Sequence, residues 1–248
     1  MFVYLPKRIY MYRLIIFIVC FSLGFSSCKK KDVESFGEEY YFKYLPLNIG
    51  DERIYEVTSI NIDVPADIND TTVFLLKETV TDTIFESADY KTFVIERFLK
   101  DIDSTTWQAF DQIAIQKHKR SLVTITNNEA FVSLLFPEKK DKVWDGNLYN
   151  SQKEELYTYS EVNTQETVQS NSYDSVLIIT QNHFKSLYTY THKEEKYAYN
   201  VGLISKTIYD IESQTTDDPS INIGDPIEER ITDGTLITCE LVSYKISE

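Results

Sequence analysis

Short runs rich in Thr, Tyr, Val, Ile and Phe follow one another from residue 53 onward, among them "RIYEVTSINI", "TTVFLLKETV", "YKTFVIERFL", "ELYTYSEV", "SVLIIT", "SLYTYTHK" and "TLITCELVSYKI". No other feature limits the fold as much. β-Branched and aromatic side chains suit a pleated, half-buried surface, and Ala, the strongest helix former, is scarce. Few segments keep apolar residues at helical spacing over three turns. About ten strands at spacings of roughly 10 to 20 residues predict an all-β fold. The expected form is an antiparallel meander making a strongly curved sheet, a half-barrel or a sandwich.

Turns are marked by Asn and Asp more than by Gly or Pro, because these side chains tolerate left-handed backbone and bond locally. "TDGT" at 232–235 carries the strongest hairpin signal, since Asp-Gly suits a type I′ turn. In the last run the apolar residues change parity, from Ile237, Cys239 and Leu241 to Val242, Tyr244 and Ile246. A bulge near Leu241, or a strand buried on both faces, produces that change. "NIDVPADIND" (61–70) and the acidic "TTDDPSINIGDPIEE" (215–229) read as long loops. "LYTY" occurs at 156–159 and 187–190, but its flanks do not align, so two similar strands are expected and not a solenoid.

The first residues carry a different message. Lys7, Arg8 and Arg13 precede the apolar run "LIIFIVCFSLGF" (14–25), and Ser26 and Ser27 then precede Cys28. The run is shorter than the roughly 20 residues of a membrane-spanning helix and has the length of a secretory h-region. The stretch resembles a bacterial lipobox, in which the chain is cut between Ser27 and Cys28 and the thiol is acylated; Phe25 stands where Leu is usual. A second start at Met11 gives a more compact leader, with Arg13 as its charge. Residues 1–27 are then a signal peptide, 28–39 a lipidated polar tether and 40–248 one β-rich domain. Two or three acyl chains hold a protein that one would release, at about 0.8 kcal/mol per buried methylene. Lys29, Lys30 and Lys31 fall where headgroup contact is expected.

Charge excludes one class of partner. The chain has 25 Lys and Arg against 39 Asp and Glu, and removing residues 1–27 takes three cations and no acid, leaving 22 minus 39, or −17. Such a surface repels nucleic acid. It also implies that the body stands off an anionic bilayer while the lysines hold on. Cys20 departs with the leader, Cys28 is blocked, and Cys239 has no partner, so no internal disulfide is expected.

Catalytic signatures are absent: there is no H-E-x-x-H, C-x-x-C, G-x-S-x-G or Walker-type motif. No cofactor, metal ligand or catalytic residue is assigned. His118 and His192 stand among charged neighbours and read as exposed, and His183 reads as the most buried of the three histidines. Glu194 and Glu195, adjacent in a strand, point to opposite faces and cannot share one reaction centre. "DGNLYN" (145–150) reads as an Asp-Gly turn and lacks the terminal glutamate of a calcium loop. The 18 tyrosines, with Trp107 and Trp144, either cover a half-exposed sheet or line a groove for a sugar or an apolar ligand. Asp followed by Ser or Thr and then a small aliphatic residue or Thr resembles the O-glycosylation acceptor of Bacteroidetes envelopes. It marks Thr71, Thr83, Ser104 and Ser175, with Thr71 and Ser104 favoured as lying beside loops.

"YLPLNIGDERIY" (44–55) resembles the opening motif Y-F-P-L-x-x-G-x-x-W-x-Y of uncharacterised Bacteroidetes outer-membrane lipoproteins. Pro46, Leu47, Gly50 and Tyr55 match, while Leu45 and Arg53 replace Phe and Trp. "LLFPEKKDKVWDG" (134–146) and "KYAYNVGLISK" (196–206) look like later signatures of that family, with Asn200 where Gly is usual. The resemblance implies an antiparallel, half-barrel sheet without catalytic residues. Pro46 would mark the start of the sheet, Gly50 a turn, and Tyr55 the inward face of the first strand. The function expected is a lipid-anchored, non-enzymatic binding or assembly module, partnered by the membrane and by an unknown envelope protein or ligand. The alternatives are a carrier of a hydrophobic or acylated ligand and a glycan-processing enzyme. Because "KKKDVE" lacks an acidic start after the cysteine, a periplasm-facing position is expected over a surface-exposed one.

Overall fold

The computed structural model describes residues 42–86, 90–214 and 224–247. The leader, Ser27, Cys28, the lysines 29–31 and the tether to residue 39 lie outside the described residues. Twelve strands form one antiparallel, nearly closed barrel-like sheet, and there is no α-helix among the described residues. They are β1 (Glu52–Asp63), β2 (Ile68–Glu86), β3 (Tyr90–Asp101), β4 (Gln108–His118), β5 (Ser121–Thr126) and β6 (Glu129–Leu135). Then come β7 (Val143–Asp145), β8 (Leu156–Val168), β9 (Asn171–Lys185), β10 (Thr189–Ala198), β11 (Gly202–Glu212) and β12 (Asp233–Lys245).

The spatial order is β6-β5-β4-β3-β2-β1-β12-β11-β10-β9-β8-β7. Consecutive strands pair except β6 with β7, which are left as the edges, and β1 pairs with β12. Unpaired edges invite association. Here the β7–β8 segment satisfies β6 instead. Val132 N donates to Gly146 O at 2.9 Å, Trp144 Nε1 donates to Val132 O at 2.8 Å, and Leu135 N donates to Tyr159 Oη at 3.1 Å.

Strand direction sorts the connections to two ends. Residues 48–51, 119–120, 136–142 and 199–201 lie at the end where the chain enters the sheet, here the tether end. Residues 64–67, 102–107, 127–128, 146–155, 186–188, 213–214 and 224–232 lie in connections at the far end. The tether end is plugged. Phe42, Tyr44, Leu45 and Leu47 are buried in the larger core cluster with Ile95, Leu122, Leu134, Trp144, Tyr159, Leu177 and Tyr197. Burial of such side chains contributes about 1.5–3 kcal/mol each. Polar bonds fix the plug in register: Tyr44 Oη donates to Asn163 Oδ1 at 2.6 Å, Asn200 N to Lys43 O at 2.7 Å, and Arg53 Nη2 to Pro46 O at 2.8 Å.

Several local expectations change. The 61–70 loop is mostly strand: β1 and β2 run into it and leave only a 3-10 turn at Val64–Ala66, closed by Asp67 at φ 57°. "TDGT" is not a hairpin turn. Gly234 lies within β12, opposite both Ile62 and Ile211, at φ 135°, and a Cβ there would sit 2.3 Å from Asp210 O. Glycine is required at that point by the close backbone, while β11 and β12 are joined through the long 213–232 connection. Arg230 holds this connection, donating to Ser213 Oγ and to the carbonyls of Asp225 and Leu187. The parity change in β12 is a bulge: Tyr55 faces Leu241 and Ile54 faces Ser243, so Val242 is the extra residue. The two "LYTY" copies differ, with Tyr157 and Tyr159 buried and Tyr188 exposed.

Candidate functional site

Residues directly opposite each other on neighbouring strands share a face, as do residues two apart on one strand. On β1, Arg53, Tyr55 and Val57 therefore point together. Arg53 faces Glu78, Glu78 faces Arg97, and Arg97 faces Asp111. On the other side Val57 faces Cys239, Cys239 faces Lys206, and Lys206 faces Glu195. Val80, Ile95 and Tyr197, each two residues from a member of this row, belong to the main core cluster, so the face is the interior one. Three cations and three carboxylates thus cross the inside of the sheet.

Their states differ. Arg97 donates from Nε to Asp111 Oδ1 at 2.6 Å and from Nη2 to Oδ2; burial lowers its affinity for protons, and the Asp111 bonds more than restore it. Lys206 Nζ lies 2.8 Å from Glu195 Oε1, and Tyr197 Oη donates to Glu195 Oε2 at 2.8 Å. Burial alone would raise the Glu195 pKa, but Lys206, with hydrogen bonds from Lys206, Tyr197 and Gln181, holds it below the usual range. Arg53 spends its guanidinium on backbone, reaching Val201 O at 2.7 Å and Pro46 O at 2.8 Å.

Two groups are left over. Burial raises the Glu78 pKa against the opposing charges of Arg97, Arg53 and Lys206, and among the described residues Glu78 has no hydrogen bond or ion pair within 4.0 Å. Tyr55 Oη is buried without a hydrogen-bond partner, and burial followed by the Glu78 charge pushes its pKa far up. Cys239 is buried and free, and burial, then Glu78, pushes its thiol up to about 12. It packs as a small apolar residue.

The row was missed in the sequence although its signal is there. Four of the six charges occupy the inward phase of a period-2 apolar pattern: Leu76-Glu78-Val80, Ile95-Arg97-Leu99, Arg53-Tyr55-Val57, and Ile204-Lys206-Ile208.

Expected site residues scatter. Thr71 is not beside a loop but within β2 opposite Ile60, exposed, and Thr83 lies further along the same strand. Ser104 sits in the β3–β4 turn, its Oγ accepting from Thr106 N at 3.1 Å. The Ser175 hydroxyl is engaged with Tyr44 Oη at 2.9 Å and Asn163 Oδ1 at 2.8 Å. Trp144 lines no groove; it is core. Trp107 is half-buried between the ammonium groups of Lys77 and Lys100, 4.9 and 5.2 Å from its ring centre.

The ranking of the histidines is inverted. His183 is exposed and His118 and His192 are half-buried, because a register shift between Lys193 and Glu194 turns Gln181 inward and sets His183 opposite His192 on the outer face. Their Nδ1 atoms are 3.2 Å apart. Burial lowers the His192 pKa, with Glu194 opposing and His183 assisting. Glu194 and Glu195 do point to opposite faces: Glu194 lies by His192 and Lys196 on the outside. "DGNLYN" is a turn in which Asp145 Oδ1 accepts from Asn147 N at 2.9 Å and Glu155 N at 3.2 Å. No three metal-ligating side chains converge among the described residues, and none of these residues forms a helix long and apolar enough to cross a membrane.

Pro46 lies in the plug, Gly50 in a turn at φ 93°, and Tyr55 points inward on β1. Asn200 adopts φ 60°, a left-handed conformation that asparagine tolerates. No family model matches the chain, and no curated protein matches it.

Proposed function

We propose that the protein is a non-enzymatic binding or assembly module of the cell envelope, held at the outer membrane by acyl chains on Cys28 with its body toward the periplasm. One observation carries the choice of binding over catalysis. Four of the six interior ions are paired with one another: Glu195 accepts from Lys206, Tyr197 and Gln181, and Arg97 grips Asp111 with two N–H groups. The Glu195 carboxylate, held by three donors and only 6% exposed, is poorly placed to take a substrate proton or to attack a substrate. The reading needs no cofactor and no nucleic acid.

The same row weighs against the carrier alternative. An acyl chain asks for an apolar inner face, and here an ionic band crosses it, while Phe74, Leu76 and Ile237 are already packed against the second core cluster. Two measurements test the proposal. Palmitate supplied to the host should enter the wild-type chain and not Cys28→Ala, which should leave the membrane fraction; equal retention of the variant overturns the anchor. Native mass spectrometry of the acylated protein should find a bound partner or ligand and no turnover of envelope glycans; steady glycan hydrolysis overturns the binding role.

A further inference from the structure

We infer that the tether end of the sheet is a docking surface for the anionic lipid headgroups of the membrane that holds the anchor. The inference rests on the Cys28 reading for its choice of occupant. The surface itself does not depend on it. Acids outnumber cations by 14 over the chain, yet the described cations are not spread evenly. Lys43 in the plug, Lys119 and Arg120 in the β4–β5 turn, and Lys139, Lys140 and Lys142 in the β6–β7 loop all lie at the tether end. The far end instead carries acidic pairs at three strand-to-strand junctions: Asp63 with Asp67, Asp101 with Asp103, and Glu229 with Glu228, the latter paired with Lys185.

Backbone and packing bring the basic loops together. Phe136 N donates to Arg120 O at 2.7 Å, which sets the β6–β7 loop beside the β4–β5 turn. Phe136 in turn packs edge-on against Phe42 at 5.4 Å, so Lys43 emerges beside both. Lys43, Lys119, Arg120, Lys139 and Lys140 are exposed. Two cations are partly spent. Lys140 pairs with Glu161 at 2.6 Å, and Lys142 donates to Leu135 O and Pro137 O, both at 2.8 Å. Lys119, Arg120 and Lys139 have no ion pair among the described residues.

Around the β4–β5 and β6–β7 loops, opposing charge among the described residues is modest. Asp51 is buried and accepts from Asn48 N and Ser247 N; burial raises the Glu138 pKa; Asp141 stays exposed in the loop. The occupant follows from where the chain goes. Thirteen residues lie between Cys28 and Phe42, a link of at most about 50 Å, and the chain leaves the sheet at the basic end. Acyl chains at position 28 therefore present this end to the headgroups, while the acidic far end is repelled and points away. Net composition predicts a body that stands off the bilayer; the segregation of charge reverses that for the end nearest the anchor.

The test uses the mature chain from residue 28 with Cys28→Ser, so that no acyl chain contributes. It is mixed with vesicles of phosphatidylglycerol and phosphatidylcholine, or of phosphatidylcholine alone, and sedimented. Binding is expected on the anionic vesicles only, and is expected to weaken with salt. The loss should be about fivefold per cation removed, so K119E/R120E/K139E should bind at least tenfold more weakly, with an unchanged circular dichroism spectrum. D101N/D103N, at the far end, should not weaken it. Equal binding to both vesicle types, or an unweakened triple variant, overturns the inference. Palmitate incorporation is read separately, so failure of the anchor and failure of the docking surface are distinguishable.

Discussion

Breaking the Lys206–Glu195 pair should destabilise the protein in a way that depends on pH. The ammonium and carboxylate are 2.8 Å apart, with side-chain exposures of 37% for Lys206 and 8% for Glu195. Removing one partner of a fully buried pair costs about 3–5 kcal/mol. Solvent reaches Lys206, and Tyr197 and Gln181 still donate to Glu195, so Lys206→Met should cost about 2–3 kcal/mol. At about 2–4 °C per kcal/mol for a domain of this size, the melting midpoint should fall by roughly 5–10 °C. Glu195→Gln, which leaves Lys206 free to reach water, should cost less, about 1–2 kcal/mol. The double variant should lose less than the sum, since the two changes remove one interaction. The sign with pH is set by the depressed folded-state pKa of Glu195. Its contribution is complete above the unfolded value of about 4.3 and is lost as pH falls through the lower folded value. Thermal unfolding followed by circular dichroism, from about pH 7 down to about pH 3, should show the gap between wild type and Lys206→Met narrowing with acid. A gap under about 1 °C at neutral pH, or one that does not change with pH, refutes the reasoning.

Two other interior groups give opposite expectations. Because burial raises the Glu78 pKa, its favourable contribution is present below the unfolded value and lost as pH rises through the folded one, so near neutral pH the ionised group costs stability. Glu78→Gln should therefore raise the melting midpoint at about pH 7 and lose that advantage in acid; a lowered midpoint at neutral pH would mean that the carboxylate is needed by Arg53 or Arg97. The Cys239 thiol, pushed up to about 12 by burial and Glu78, should resist thiol reagents in the native state and react fully in urea. Its contribution is complete below the unfolded value of about 8.5 and fades as pH rises toward the folded one, so Cys239→Ala should flatten the alkaline decline in stability. Identical alkaline curves would assign that decline elsewhere.

Strand content was legible in the sequence because it is a local property: alternation in "RIYEV" or "FVIERFL" needs only the residues themselves. The β12 bulge was legible for the same reason, as a change of parity within one run. Closure was not. It depends on β1 meeting β12 at the two extremes of the described chain, and on Trp144 and Tyr159 bonding to β6, contacts that no window of residues contains. Gly234 misled because Asp-Gly is a turn signal only where the chain turns. Here the glycine serves a close approach by β11, which is set by tertiary structure. The interior ions lay between these cases. Glu78, Arg97, Arg53 and Lys206 were visible as charges in the apolar phase of their own strands, but Glu195, two residues after Lys193, reads as one of many acids until Lys206 is placed opposite it.

Charge followed the same logic one level up. "KHKR" (117–120) and "PEKKDK" (137–142) are ordinary solvated stretches in a strongly acidic chain, and net charge is a sum that carries no positions. The bond from Phe136 N to Arg120 O makes them one surface, and the plug adds Lys43 to it. An antiparallel meander sends alternate connections to opposite ends, so any bias between odd and even turns becomes a bias along the strand axis. In this chain the β4–β5 and β6–β7 connections are basic and the β1–β2, β3–β4 and β11–β12 connections are acidic. A uniformly acidic body would have no preferred orientation beside an anionic bilayer. In one whose β4–β5 and β6–β7 turns are basic, the proposed headgroup docking would favour that end, with the acidic far-end connections turned away.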